Sequence, residues 1–135
     1  MGGQHSRVGR RVRIGVDLDK PTRLQLLKTW FNASYFFRDA QIDVKETAKG
    51  FHVRIFVANT VVENLDVRRS LGDDVRRIEY DEKRSRCPML VGWVDTLFNA
   101  KWRGGKMVSE EKPCNIFSEA FVTRLPARKP PFSLG

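Results

Sequence analysis

The sequence is poor in cysteine and has no long apolar run, and each absence excludes a class of protein. Only Cys87 and Cys114 occur among 135 residues, too few for a disulfide framework or a four-cysteine zinc site. We therefore expect free thiols and a reducing, cytoplasmic location. No stretch of about 18 apolar residues is present, and the polar, basic N-terminus lacks the apolar segment of a secretory signal. We expect no membrane partner.

Acidic residues are scarce relative to basic ones, with 16 Asp and Glu against 25 Lys and Arg and a formal net charge of +9. This excess favours a polyanionic partner, nucleic acid first, although a charge that only aids solubility explains it about as well. The hydrophobic fraction of 41% supports one domain with its own core. We expect a basic tail over 1–11, a core over 12–86, an extension packed on it over 87–125 and a disordered tail over 126–135.

The hydrophobic pattern predicts an α+β fold with the element order βαββαβ. Alternating apolar residues indicate strands over residues 12–19, 41–46, 51–58 and 75–83. One helix starts at Pro21, with an apolar stripe of Leu24, Leu27, Phe31 and Tyr35. A second helix spans 60–71 and is stopped by Gly72. This order predicts an RRM or ferredoxin-like antiparallel sheet, in strand order 4-1-3-2 with both helices on one face.

The sheet face that the helices leave open should carry the chemistry. Strand alternation puts Asp17, Asp19, His52, Arg54 and Asp81 on that face, and antiparallel pairing brings Asp17 and Asp19 near His52. Three carboxylates on one face repel one another unless a cation joins them. Hard oxygen ligands of this kind suit Mg²⁺ or Mn²⁺, so the pattern predicts a metal-dependent nucleotide site.

In the order and spacing of three motifs, the sequence resembles the archaeo-eukaryotic primase superfamily, whose catalytic core is an RRM-like sheet. Gly15 to Asp19 matches the hhhDhD motif of that family, Thr47 to His52 its [ST]-x-x-G-x-H motif, and Tyr80-Asp81 its final hydrophobic-acid pair. The resemblance covers about residues 12–84. It implies that Asp17, Asp19 and Asp81 are catalytic metal ligands and that His52 contacts the phosphates of a nucleotide.

The resemblance also implies a minimal primase-polymerase-like protein of nucleic-acid replication, which transfers nucleotides from nucleoside triphosphates on a single-stranded template. The N-terminal unit usual in that family has no counterpart before the first strand, so the resemblance fits either a degenerate member or one that needs a partner replication protein. The nucleotide phosphates are expected to contact His52, Arg54 and Lys49. Single-stranded DNA or RNA is expected to contact Arg10, Arg11, Arg13, Phe56 and Arg77.

Ordinary structural interpretations compete with these assignments. Asp17 and Asp19 suit a strand end followed by a helix cap, and His52 suits a solvated strand. The pair Asp73-Asp74 follows a helix-stopping glycine and is interpreted as part of a turn. Trp93 and Trp102 fit either base stacking or the core. A non-catalytic single-stranded nucleic-acid-binding module, or a basic subunit of a nucleoprotein assembly, therefore stays open as an alternative.

Overall fold

A computed structural model describes residues 11–58, 63–118 and 121. The strands are β1 (Arg11–Asp19), β2 (Gln41–Glu46), β3 (Gly50–Ala58), β4 (Ala100–Arg103), β5 (Lys106–Glu110) and β6 (Lys112–Pro113). The helices are α1 (Arg23–Phe36), α2 (Asn64–Ser70) and α3 (Val75–Ser85), followed by a short 3-10 turn, Val91–Trp93. None of the helices in this described part is both long and apolar enough to cross a membrane.

The main sheet has four strands, is antiparallel throughout and runs in the order β1-β3-β2-β6. Strands β1 and β3 pair along their whole length, with Asp17 opposite His52 and Asp19 opposite Gly50. The predicted neighbours 1-3-2 are confirmed, but the predicted fourth strand beside β1 is wrong. Two residues of β6 instead extend the opposite edge, next to β2, while β4 and β5 form a separate hairpin.

One face of the sheet holds the core, as the strand alternation predicted. Its central side chains are Ile14, Val16, Val53 and Ile55, all fully buried. Residues of the C-terminal extension enter this core as well. Ile116 and Phe121 are buried in it, and the Phe121 ring packs edge-on against Phe51 at 5.6 Å between centroids.

Helix α1 covers the core face, but it uses a different stripe from the predicted one. Thr22 caps the helix in a reciprocal capping box with Gln25. The residues that α1 buries are Leu26, Thr29 and Ala33. Three members of the predicted stripe, Leu24, Phe31 and Tyr35, are exposed. Apolar residues occur almost all round this helix, so their spacing alone does not single out the buried side.

Residues 75–83, predicted as the fourth strand, belong to helix α3. Asp74 caps the first turn by accepting a hydrogen bond from the backbone N–H two residues on, and Arg, Glu and Lys favour helices. Ile78 and Asp81, three residues apart, are buried, whereas Tyr80 is exposed. The segment has few apolar residues, so the alternation of Ile78 and Tyr80 was too little evidence for the predicted strand.

Side chains close the edge of β1 where the fourth strand was predicted. The N–H of Gly15 donates to Asp95 Oδ2 at 2.8 Å, and the N–H of Asp17 donates to Asp73 Oδ1 at 2.7 Å. The N–H of Asp74 donates in turn to the carbonyl of Asp17 at 3.2 Å. A methyl group on Gly15 would lie 2.6 Å from Asp95 Oδ1, so only glycine fits. The strand edge is thereby satisfied without another strand.

The remaining elements agree only in part with prediction. Helix α2 is shorter than the predicted 60–71, and Gly72 follows it with φ of 83°, as a helix-stopping glycine should. Residues Arg103 to Lys106 form the turn that joins β4 and β5, and the two free thiols are confirmed. The predicted tails, 1–11 apart from Arg11 and 126–135, lie outside the described residues.

Candidate functional site

The open face of the sheet forms the floor of a cleft of about 540 Å³, within the range of small-ligand sites. Helix α3, the loop over residues 96–99 and the base of the β4–β5 hairpin form its walls. Asp17, Asp19, His52 and Lys49 all line it. The structure thus brings these four predicted site residues together with a fifth, Arg77, and we call this feature the Asp17 cleft.

His52 is held in the cleft by a residue that the sequence did not reveal. Glu111 lies 2.5 Å from His52 Nδ1 and binds both Nη atoms of Arg54, at 2.9 and 2.7 Å. The carboxylate at Nδ1 orients the ring so that Nε2 faces Asp17 Oδ1 at 3.6 Å. No motif signals Glu111, because it follows the hairpin and lies 59 residues from His52 in the chain.

Asp17 and Glu111, two acids of the cleft, have oppositely shifted pKa values. Burial raises the pKa of Asp17, and the nearby Asp73 and Asp74 raise it further against the attraction of His52 and Arg77. Burial also acts to raise the pKa of Glu111, but hydrogen bonds from Arg54 and His52 outweigh it and lower that pKa. Glu111 is therefore a fixed anion, whereas Asp17 is an acid that lacks a strong cationic partner.

Replacing Glu111 with glutamine should remove about 1–3 kcal/mol of unfolding free energy near neutral pH, because Arg54 loses a charged, two-point partner. Since folding lowers the pKa of Glu111, its stabilisation is present above the unfolded value of about 4.3 and is lost as pH falls through the folded value. Urea unfolding of both proteins between about pH 6 and pH 3 measures this. Equal acid sensitivity of Glu111→Gln and wild type would contradict the assignment.

Three basic residues that border the Asp17 cleft form no ion pair with a described acidic residue. Lys49, Arg76 and Lys101 line it and are exposed. Among the residues that the structure describes, no acidic group lies within ion-pair distance of their charged ends. Unpaired cations around a floor of carboxylates suit an anionic ligand that brings a metal ion with it.

Asp81, the predicted third metal ligand, lies outside the cleft. It is 1% exposed and binds Arg68 Nη1 at 2.8 Å and Arg84 Nη1 at 2.9 Å, while it accepts the N–H of Asp95. Burial acts to raise the pKa of Asp81, but these hydrogen bonds outweigh it and lower that pKa. The predicted role fails because Asp81 stands on a helix beside the sheet and is neutralised by two arginines.

Several predicted binding residues have structural partners instead. Arg54 donates to Glu111 and to the Leu97 carbonyl instead of lying unpaired in the cleft. Arg77 lines the cleft, but its Nη atoms bind Asp73, Asp95 and the Gly15 carbonyl. Arg13 reaches the Asp95 carbonyl, and Phe56 is half-buried outside the cleft. Arg10 and the side chain of Arg11 lie outside the description.

The pair Asp73-Asp74 does more than make a turn. Asp73 is fully buried between Arg68 Nε at 2.7 Å and Arg77 Nη1 at 2.8 Å. Asp81 and Asp95 also lie within ion-pair distance of Arg68, and we call Arg68 and these three aspartates the Arg68 cluster. Because Asp73 also holds the N–H of Asp17, the cluster fixes the strand that carries the cleft acids.

The described residues contain no ready-made cage of three or more His, Cys, Asp or Glu ligands for a metal ion. Comparison of the chain with protein-family models, with curated proteins and with solved structures found no match. The relation to the primase superfamily therefore stays a prediction from the motifs.

Proposed function

We propose that the Asp17 cleft binds a nucleoside triphosphate with Mg²⁺ or Mn²⁺, and that the protein transfers nucleotides on a single-stranded template as a minimal primase-polymerase-like protein. One observation carries this proposal. Asp17, Asp19 and the Nε2 side of His52 face one cleft, whose border bears cations free to meet a phosphate chain. The charge runs from acidic at the floor to basic at the border, which complements a metal–triphosphate.

The residues present fit a divalent cation that arrives with its nucleotide. Mg²⁺ is usually bound by one or two protein carboxylates together with substrate phosphates and water, rather than by an all-protein cage. Asp17 and Asp19 supply that number, and the raised pKa of Asp17 marks a carboxylate whose anion lacks compensation. When bound, such a cation would neutralise charge on the transferring phosphate.

The loss of Asp81 from the site favours the second candidate, a non-catalytic module that binds single-stranded nucleic acid. Two-metal transfer needs ligands enough for two ions about 4 Å apart, and only two of the three predicted carboxylates line the cleft. Under this alternative the same cations bind phosphates, and the acids have no part in affinity.

Metal and nucleotide binding separate the two candidates. Wild type should bind Mn²⁺ in the presence of a nucleoside triphosphate, and the double variant Asp17→Asn/Asp19→Asn should bind it at least about 100-fold more weakly, since even the loss of an outer-shell partner costs 10–100-fold. Electron paramagnetic resonance of free Mn²⁺ measures this, and primer synthesis on a single-stranded template tests transfer.

Asp43→Asn is the matched control, because Asp43 lies on β2 opposite Arg54 and so on the same sheet face, but outside the cleft. It should bind Mn²⁺ and nucleotide as wild type does. Failure of wild type to bind Mn²⁺ with nucleotide would overturn the proposed function. Binding without primer synthesis would favour the non-catalytic alternative.

A further inference from the structure

The β4–β5 hairpin stands away from the rest of the protein. Every residue from Lys101 to Val108 is exposed, and the two strands pair with each other but with no strand of the main sheet. Gly104 and Gly105 form its tip with φ of 60° and 77°, as a tight two-residue hairpin turn requires. An exposed ribbon of this kind buries little surface, so the core does not explain its composition.

The hairpin combines cations with an exposed aromatic ring. Trp102 is 67% exposed and lies opposite Met107, while Arg103 lies opposite Lys106 at the tip. Lys101 adds a third cation, and no acidic residue occurs between Lys101 and Ser109. Aromatic faces for bases and interleaved cations for phosphates are the two features with which proteins hold single-stranded nucleic acid.

The base of the hairpin is continuous with the Asp17 cleft. Ala100, Lys101, Ser109 and Glu110 line that cleft, and the N–H of Glu111 donates to the carbonyl of Asn99 at 2.8 Å, which closes the base. A single strand of nucleic acid lying along the hairpin would therefore lead into the site where the nucleotide is proposed to bind.

We infer that the β4–β5 hairpin is a binding arm for single-stranded nucleic acid, in which Trp102 stacks on a base on one face of the ribbon while Arg103 and Lys106, paired at the tip on the other face, contact phosphates where the nucleic acid passes the tip. Charge complementarity selects nucleic acid as the partner, and the exposed ring selects unpaired bases, because the bases of a duplex are already stacked. The inference rests on the proposed function only in one respect, that the bound nucleic acid leads from the hairpin into the Asp17 cleft. Binding itself needs neither metal nor nucleotide.

Fluorescence anisotropy of a labelled oligothymidine of about 12 nucleotides, with the whole chain in EDTA, tests the arm. Trp102→Ala should weaken binding about 5- to 100-fold, whereas Trp102→Phe should retain most of it. Arg103→Gln/Lys106→Gln should reduce the slope of log affinity against log salt by about 1.4, since each phosphate contact on a single strand contributes about 0.7. Far-UV circular dichroism verifies that each variant is folded.

Trp93→Ala is the matched control, because Trp93 is also exposed, at 56%, but lies in the 3-10 turn away from the hairpin. It should bind as wild type does. The inference is overturned if Trp102→Ala binds normally, if Trp93→Ala weakens binding equally, or if wild type prefers a duplex of the same sequence. Asp17→Asn/Asp19→Asn should still bind the oligonucleotide, so failure of the nucleotide site and failure of the arm give different results.

Discussion

Replacing Arg68 with methionine should cost about 3–5 kcal/mol of the free energy of unfolding, the range for removing one partner of a buried ion pair. The Arg68 side chain is fully buried and binds Asp73 and Asp81 at 2.7 and 2.8 Å, with Asp95 at 3.9 Å. Burial acts to lower the pKa of Arg68, but its interactions with Asp73, Asp95 and Asp81 together outweigh it and raise that pKa. Without the guanidinium, three carboxylates with little access to water would keep, of the described residues, only Arg77 and Arg84 as cationic partners.

Equilibrium unfolding in urea measures this loss, and Arg69→Met is the control. Arg69 is the next residue on α2, but its pairs with Asp66 and Glu82 are exposed, so its replacement should cost no more than about 1 kcal/mol. Arg68→Lys should be intermediate, because a single ammonium cannot reach carboxylates on several sides as a guanidinium does. Similar losses of unfolding free energy for Arg68→Met and Arg69→Met would show that the Arg68 cluster does not hold α2, α3 and β1 together.

The sequence predicted the parts of the fold in which local pattern and burial agree. Every second residue of β1 and β3 is apolar in the sequence, so their pairing and the meeting of Asp17 with His52 could be foreseen. The segment after Gly72 could not be predicted in this way. Its single buried apolar residue, Ile78, fits a strand or a helix. The outcome depends on the local cap at Asp74, which was interpreted only as part of a turn, and on the contact of Asp81 with Arg68, which forms only in the tertiary structure.

The candidate site likewise contains residues that local sequence pattern predicts and residues that it does not. Asp17, Asp19 and His52 lie on two strands whose register is fixed by hydrophobic alternation, and they meet as predicted. The motif that assigns Asp81 to the site assumes a strand over 75–83. Because that segment is helix α3, Asp81 does not reach the cleft. Glu111 was missed because it reaches His52 from the far end of the hairpin, and no local pattern encodes a contact of that separation.

Gly50→Ala is expected to have the second large effect, a loss of about 3 kcal/mol or more, because it forces overpacking against main chain that cannot rotate away. A methyl group on Gly50 would overlap the carbonyl oxygen of Leu18 and lie 3.0 Å from the backbone nitrogen of Lys20. The nearby turn is already tied, since the N–H of Gly50 donates to Thr47 Oγ1 at 3.0 Å. The Thr47-to-His52 motif thus has a physical basis: its threonine and glycine bring β3 against β1 where His52 meets the cleft.

Gly92→Ala provides the comparison, because no atom lies within 4 Å of the position that its Cβ would take and its backbone is not left-handed. Thermal or urea unfolding should show a change within about 0.5 kcal/mol for Gly92→Ala and the large loss for Gly50→Ala. If Gly50→Ala keeps enough structure to be purified, it should also bind Mn²⁺ and nucleotide more weakly, because the separation of β1 from β3 moves His52 away from Asp17. Equal stability of the two variants would mean that the motif glycine is not set by this close approach.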